Sequence, residues 1–305
     1  MDGIEGMHMK VGIIGGGAIG LLFAANLGKM YDVTLYVKRT AQKDSINSKG
    51  ITLCYQEQKE VTWIKAESEF TALSQNDLLI IAVKQYHLAD ITETIRKLPI
   101  DLPLLFLQNG IGHIELLNNL PHSNLYVGTV EHGALKVSES KVAHKGRGKT
   151  NIAIFKGSDG LPGKLSNECV DFPFVIMPDY EMMLLEKLAI NAVINPLTAV
   201  LGVRNGKLIE NDEFEYLARA VFEEICLLYP KLNEVISFND IKAVAFNTRG
   251  NTSSMLADLQ ADRQTEIDAI LGAVIARADQ DQVPISFIRY LYKMVKGLDV
   301  ERRKG

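Results

Sequence analysis

In Lys187-Leu-Ala-Ile-Asn191-Ala-Val-Ile-Asn195-Pro196 one ammonium and two amides recur at every fourth residue. Four residues carry a helix only about 40° past a full turn, so the three groups share one face. The positions between them are Leu, Ala, Ile and Val, which makes the helix buried on most sides. Leaving three polar groups there without partners would cost several kcal/mol. They must face a polar cavity, a ligand or one another. A lysine in such a place is suited to give a proton to an oxyanion that forms within reach. The competing reading is a structural lysine snorkelling to solvent, with Asn191 and Asn195 bonded to neighbouring helices. Pro196 removes an intrahelical hydrogen bond and predicts a kink that frees the carbonyl of Ala192.

A second chemistry is written near the N-terminus. Gly15-Gly16-Gly17-Ala18-Ile19-Gly20 is a GxGxxG run directly after a β-branched stretch and at the opening of a helical one. The first glycine permits the tight turn, the second lets backbone approach a pyrophosphate, and the third lets helix and strand pack closely. Free amides and the helix dipole then face the phosphates. At the end of the next strand, where a carboxylate would bond the ribose 2′-hydroxyl of NAD, the chain reads Tyr36-Val37-Lys38-Arg39. Lys38 or Arg39 can instead pair with a 2′-phosphate, so NADPH/NADP+ is the expected cofactor. Lys84-Gln85, Asn109-Gly110 and, with weaker support, Gly128-Thr129 and His132-Gly133 follow later strands, where the nicotinamide half should run.

Past the Lys/Asn helix, Asn205-Gly206 is a turn signal. Thr252-Ser253-Ser254 reads as a helix N-terminus able to cap itself or to receive a substrate carboxylate. Gln264-Thr265-Glu266-Ile267-Asp268 opens another helix, which Thr265 can cap and whose dipole favours Glu266 in any case.

The elements that must hold these groups change character along the chain. Strand-like runs at 10–14, 32–37, 78–83, 104–107, 125–130, 150–155 and 173–177 alternate with helical stretches at 18–30, 86–97 and 114–120. That alternation predicts an α/β, Rossmann-like, doubly wound and mostly parallel sheet. After about residue 179 only helical patterns follow, at 181–200, 213–228, 241–246, 254–262 and 266–280. Two domains are therefore expected, 1–178 for the dinucleotide and 179–305, all-helical, for substrate and catalysis, with the active site in the cleft between them.

The chain has 305 residues, 47% apolar and 23% charged, with net charge −4 and its Lys and Arg dispersed. That excludes a disordered tail and a broadly basic grip on nucleic acid or membrane. Six scattered histidines and three distant cysteines, Cys54, Cys169 and Cys226, lack metal-ligand spacing, so no metal and three buried reduced thiols are expected. The leading residues have no signal-peptide pattern, and a cytoplasmic protein is expected, with residues 1–9 an extension outside the fold. The segment 213–228 can pair between subunits of a homodimer or pack internally.

Taken together, these residues resemble the ketopantoate reductases (2-dehydropantoate 2-reductases). The likeness runs from the fingerprint at Gly15 through Lys84 and Gln108-Asn109-Gly110 to the Lys187/Asn191/Asn195 helix, Asn205-Gly206, Ser253-Ser254-Met255-Leu256 and Thr265-Glu266-Ile267-Asp268. It implies that NADPH reduces 2-dehydropantoate to (R)-pantoate, the precursor of pantothenate and coenzyme A. It also implies Lys187 as proton donor and a substrate site lined by Asn191, Asn195, Asn205 and Ser254. Asn109 would stand between nicotinamide and substrate and Lys84 beside the cofactor. Glu266 would lie near the reacting end, as a second catalytic candidate also in reach of the cofactor. The alternatives are another NADP-dependent 2-keto acid or β-hydroxyacid reductase, or a non-catalytic NADP(H)-sensing protein. A sensor has no need of the proton donor that Lys187, Asn191 and Glu266 suggest.

Overall fold

The structure is a computed structural model that describes residues 8–304. Its twelve strands are β1 (Lys10–Ile14), β2 (Asp32–Tyr36), β3 (Ile51–Tyr55), β4 (Gln58–Thr62), β5 (Lys65–Glu67), β6 (Leu78–Ile81), β7 (Leu104–Phe106), β8 (Leu125–Val130), β9 (Gly133–Ser138), β10 (Lys141–Gly146), β11 (Thr150–Lys156) and β12 (Phe174–Ile176). The chain forms two compact units. One comprises the described residues through Gln108 with Glu115–Met183, and the other comprises Asn109–Ile114 with the described residues from Leu184 onward.

The first unit is built on an eight-stranded sheet of order β12-β11-β8-β7-β6-β1-β2-β5. The six strands from β8 to β5 are parallel, in the spatial order of a dinucleotide-binding sheet, with the reversal between β1 and β6. β11 adds antiparallel to β8, and β12 runs parallel to β11. All four residues of β6 are buried, as the unbroken Leu-Leu-Ile-Ile run predicts.

A second sheet, β4-β3-β10-β9, was not anticipated from the sequence. Its reason lies in α1 (Ala18–Leu27), which is apolar on every side and so has to be covered on every side. It packs on β1 and β2 of the large sheet and on β3, β9 and β10 of the small one. Also in this unit are α2 (Thr40–Lys49), α3 (Leu88–Arg96), most of α4 (Ile114–Asn118) and α5 (Gly160–Glu168). Residues 1–7 of the expected extension lie outside the described residues. Met9, expected to take no part in the fold, is buried in the core cluster, and its carbonyl accepts the Asp32 amide at 3.1 Å. Of the three free cysteines, Cys169 and Cys226 are buried and Cys54 only half so.

The second unit holds α6 (Tyr180–Leu201) from Leu184 onward, α7 (Lys207–Glu210), α8 (Asp212–Leu228), α9 (Phe238–Asn247), α10 (Ser254–Gln260), α11 (Ala273–Asp281) and α12 (Ser286–Lys304). A π-helical turn, Asp268–Gly272, leads into α11. The helix α6 is long and apolar enough to cross a membrane, and 67% of its most apolar window is buried inside the protein. It continues through Pro196 to Leu201. The start of α12 is capped from a distance, because the Glu224 carboxylate of α8 accepts the amides of Phe287 (2.9 Å) and Ile288 (2.8 Å).

Among the described residues His113, His122, His132 and His144 are buried and burial lowers the pKa of each, most strongly for His113 and His132. Both ring nitrogens of His113 lack partners, and burial pushes its pKa down to about 4. Burial, aided by the charge of His144, does the same to His132, to about 4. Unfolded, both would titrate near the ordinary histidine value of about 6.5, so the unfolded chain binds more protons between there and about 4. Their contribution is intact above that window and is lost as pH falls through it. Urea unfolding should therefore show a loss of about 2 kcal/mol per histidine between about pH 7 and pH 5. His113→Leu should remove its share, and an unchanged slope in that variant would contradict the assignment.

Candidate functional site

The fingerprint loop has the geometry its three glycines imply. Gly15 has φ +120°, and a Cβ there would meet the backbone of Ala82 and Val83 at 2.9 Å, at the carboxyl end of β6. A Cβ on Gly20 would lie 1.8 Å from the Gly15 carbonyl oxygen, so only glycine allows α1 this close to the turn. Gly17 is exposed and would meet nothing within 4 Å. Ala18 and Ile19 form the first turn of α1. The loop is thus tight where chain meets chain and open where a pyrophosphate would approach. In the turns after β6 and β7, the side-chain oxygens of Gln85 and Gln108 are buried acceptors without partners, while the Gln108 amide donates to the carbonyls of Ile81 and Val83, both at 2.9 Å. Lys84 immediately precedes the short 3₁₀ turn Gln85–His87, its ammonium 5.8 Å from the Tyr86 ring centre.

At the end of β2, Lys38 is 86% exposed, with its ammonium 4.0 Å from Asp90. Arg39 points elsewhere, making a 2.5 Å ion pair with Glu139 in the β9–β10 turn. Lys136 of β9 also reaches that carboxylate, at 3.2 Å, and donates to the Gly16 carbonyl at 3.0 Å. Gln42 of α2 donates to the carbonyls of both Gly16 and Glu139 at 2.9 Å. The sequence held no local sign of Lys136 or Glu139, which arrive from the small sheet. Gly133 opens β9 and pairs with Gly146.

In the helical unit Lys187, half-buried, shares the α6 stripe with Asn191 and Asn195. Asn191 is 8% exposed and makes no hydrogen bond among the described residues. The Asn195 amide reaches the Ser254 hydroxyl only at a long 3.4 Å. Ser253 is the N-cap of α10, accepting the Leu256 amide at 3.2 Å, and its hydroxyl lies 2.7 Å from that of Thr198. With Ser253 as the cap, Ser254 is left exposed in the first turn. Asn205 donates to the Thr248 hydroxyl at 2.9 Å, and its own side-chain oxygen is buried without a partner.

The segment 109–114, expected to continue the nucleotide half, belongs to this helical unit. The Asn109 amide donates to the Glu266 carboxylate at 2.9 Å. Gly110 makes that approach possible, because at φ +76° a Cβ would lie 2.0 Å from the Ala269 carbonyl oxygen in the π-turn. π-turns are enriched at functional sites. Thr265 does not cap this helix. Its hydroxyl is buried without a partner, and its amide donates to Asp299 at 3.2 Å.

Comparison with known proteins supplies the family. The description "Ketopantoate reductase PanE/ApbA" matches residues 11–157, and "Ketopantoate reductase PanE/ApbA C terminal" matches residues 179–299. The chain belongs to the ketopantoate reductase family. A 2-dehydropantoate 2-reductase of Listeria innocua is 40% identical over 300 residues, covering 97% of this chain and 98% of its own. The crystal structure of a probable 2-dehydropantoate 2-reductase from Bacillus subtilis matches with TM-score 0.83 at 35% identity, over 95% of this chain and 100% of its own. A D-mandelate dehydrogenase solved with NADH and anilino(oxo)acetate shares the fold, with TM-score 0.86 at 21% identity over 96% of this chain and 99% of its own. The ketopantoate reductases are NADPH-dependent oxidoreductases acting on CH–OH groups. An open fingerprint, orphaned acceptors after β6 and β7, and Lys38 and Arg39 where an NAD-binding strand end would carry a carboxylate all fit that cofactor.

Gly110→Ala should destabilise the protein by about 2 kcal/mol or more in urea unfolding, through backbone strain and overlap with Ala269. Gly163→Ala in α5, where a Cβ meets nothing within 4 Å, is the control and should cost nothing. Equal stability of the two variants would contradict the close approach.

Proposed function

We propose that this protein reduces 2-dehydropantoate with NADPH to (R)-pantoate, as a cytoplasmic step toward pantothenate and coenzyme A. The observation that carries the reading is the stripe on α6, where Lys187 lies one turn from Asn191, a residue 8% exposed whose side chain makes no hydrogen bond among the described residues. Buried acceptors in native proteins are nearly always paired, so the orphaned side-chain oxygen of Asn205 supports a ligand site, and the Asn191 amide, without a protein partner, is open to the same ligand.

When bound, the nicotinamide supplies the hydride that adds to C2 of the keto acid. Lys187 donates the proton to the C2 oxygen as negative charge develops there. Asn191, Asn195, Asn205 and Ser254 hold the carboxylate and hydroxyl groups of the substrate through donors and acceptors that the protein leaves unused or weakly used. Asn109 orients the reacting carbonyl, and Glu266 accepts its amide hydrogen and fixes which way the amide faces. Lys84 and the fingerprint Gly15, Gly16, Gly17, Ala18, Ile19 and Gly20 bind the cofactor, and Lys38 and Arg39 meet its 2′-phosphate. Much of the rate enhancement comes from orientation and from a cation placed where charge appears.

Lys187→Ala should lower kcat on 2-dehydropantoate by about 10²- to 10⁴-fold, the usual range for a lost general acid. NADPH affinity, followed by fluorescence titration, should change by less than about twofold. Turnover close to that of the unmodified protein would remove Lys187 from the mechanism.

A further inference from the structure

Two cations converge on one carboxylate oxygen beside the nucleotide fingerprint. The Arg39 guanidinium lies 2.5 Å and the Lys136 ammonium 3.2 Å from the same oxygen, Oε2 of Glu139. The backbone beneath Glu139 is fixed. Gln42 ties its carbonyl to that of Gly16, Ser45 bonds the Ser140 hydroxyl at 3.1 Å, and the Thr52 amide donates to the Ser140 carbonyl at 2.8 Å. The Glu139 side chain is nevertheless 35% exposed and free to swing outward, whereas Lys136, at 26%, is held in place by its bond to the Gly16 carbonyl.

We infer that Glu139 stands in for the adenosine 2′-phosphate of the cofactor, and that Lys136, with Arg39, is a cation of that phosphate site. The inference rests on the NADPH reading and adds to it two residues from the small sheet. A phosphate monoester carries between one and two negative charges near neutral pH and three acceptor oxygens, against one charge on a carboxylate. It pairs better with an arginine and a lysine held side by side. The Arg39 pair is exposed and the Lys136 pair half-buried, and such open ion pairs are weak, so moving Glu139 aside costs little. Burial pulls the Lys136 ammonium below the ordinary lysine value, although Glu139 opposes this, so a second negative charge beside it is favourable. Glu139 thus keeps two neighbouring cations from repelling one another and competes with a phosphate for them.

The test is calorimetric titration of the full-length protein with adenosine 2′,5′-bisphosphate and with 5′-AMP, which differ only in the 2′-phosphate. Glu139→Gln should tighten the bisphosphate by about five- to tenfold, about 1 kcal/mol, and leave 5′-AMP unchanged. Lys136→Met should weaken the bisphosphate by about tenfold or more with little effect on 5′-AMP, and Lys136→Arg should restore it. Unchanged or weaker bisphosphate binding in Glu139→Gln would overturn the stand-in role. Equal weakening of both ligands in Lys136→Met would reduce Lys136 to a support of the Gly16 loop. If the unmodified protein binds both ligands equally well, the NADPH reading itself fails. A strong preference for the bisphosphate without the two variant effects sinks this inference alone.

Discussion

The helical unit is organised by the cost of burying hydrogen-bonding groups without partners. α6 is apolar enough that most of it is buried, yet it carries an ammonium and two amides on one face, and each unmade buried bond costs about 1–3 kcal/mol. The surrounding elements answer only part of that demand. α10 brings Ser253 to Thr198 and Ser254 to the edge of Asn195, while the buried oxygen of Asn205 is left unanswered. That unmet demand supports the proposed polar-ligand site and the proposed role of Lys187 as proton donor. The Asn109–Glu266 bond belongs to this logic too, since it holds an amide by a carboxylate at a half-buried position.

The nucleotide unit answers a different constraint, the closeness of backbone to backbone. Gly15 and Gly20 let β1, β6 and α1 meet at one turn, and Gly17 in that turn is left open to a phosphate. The small sheet covers the outward face of α1 and at the same time carries Lys136 and Glu139 to the loop it covers. One structural device therefore closes a core and furnishes the charges around a binding loop. The mild net charge of the chain is no obstacle to a polyanionic cofactor, because these few groups act locally.

Much of this was legible in the sequence, and the omissions have physical causes. β1, β2, β6 and β8 announce themselves as β-branched or unbroken apolar runs, and the four-residue spacing on α6 survives intact in the fold. β4 does not, because four of its five residues face solvent and its run of Gln-Lys-Glu looks like a loop. α12 went unread although its buried Ile288, Leu291 and Val295 keep helical spacing, and its start donates two hydrogen bonds to Glu224, 63 residues away. The assignment of 109–114 to the helical unit depends on a glycine slipping past the Ala269 carbonyl, and the Asn109–Glu266 bond spans 157 residues. Lys136 reaches Gly16 across 120 residues. Local periodicity contains none of these long-range approaches, whereas the fingerprint glycines, Lys187 and its asparagines are stated within single elements.

The most direct test is to follow NADPH oxidation by the purified protein with 2-dehydropantoate beside a small panel of other 2-keto acids, pyruvate, 2-oxoisovalerate and phenylglyoxylate among them. The expected result is steady turnover on 2-dehydropantoate, with a kcat/KM about 10²-fold or more above that of any other acid, as follows when a site is built to hydrogen-bond its substrate's own polar groups. Turnover confined to a different acid would contradict the assigned substrate, and silence on every acid with NADPH bound would contradict the reductase itself.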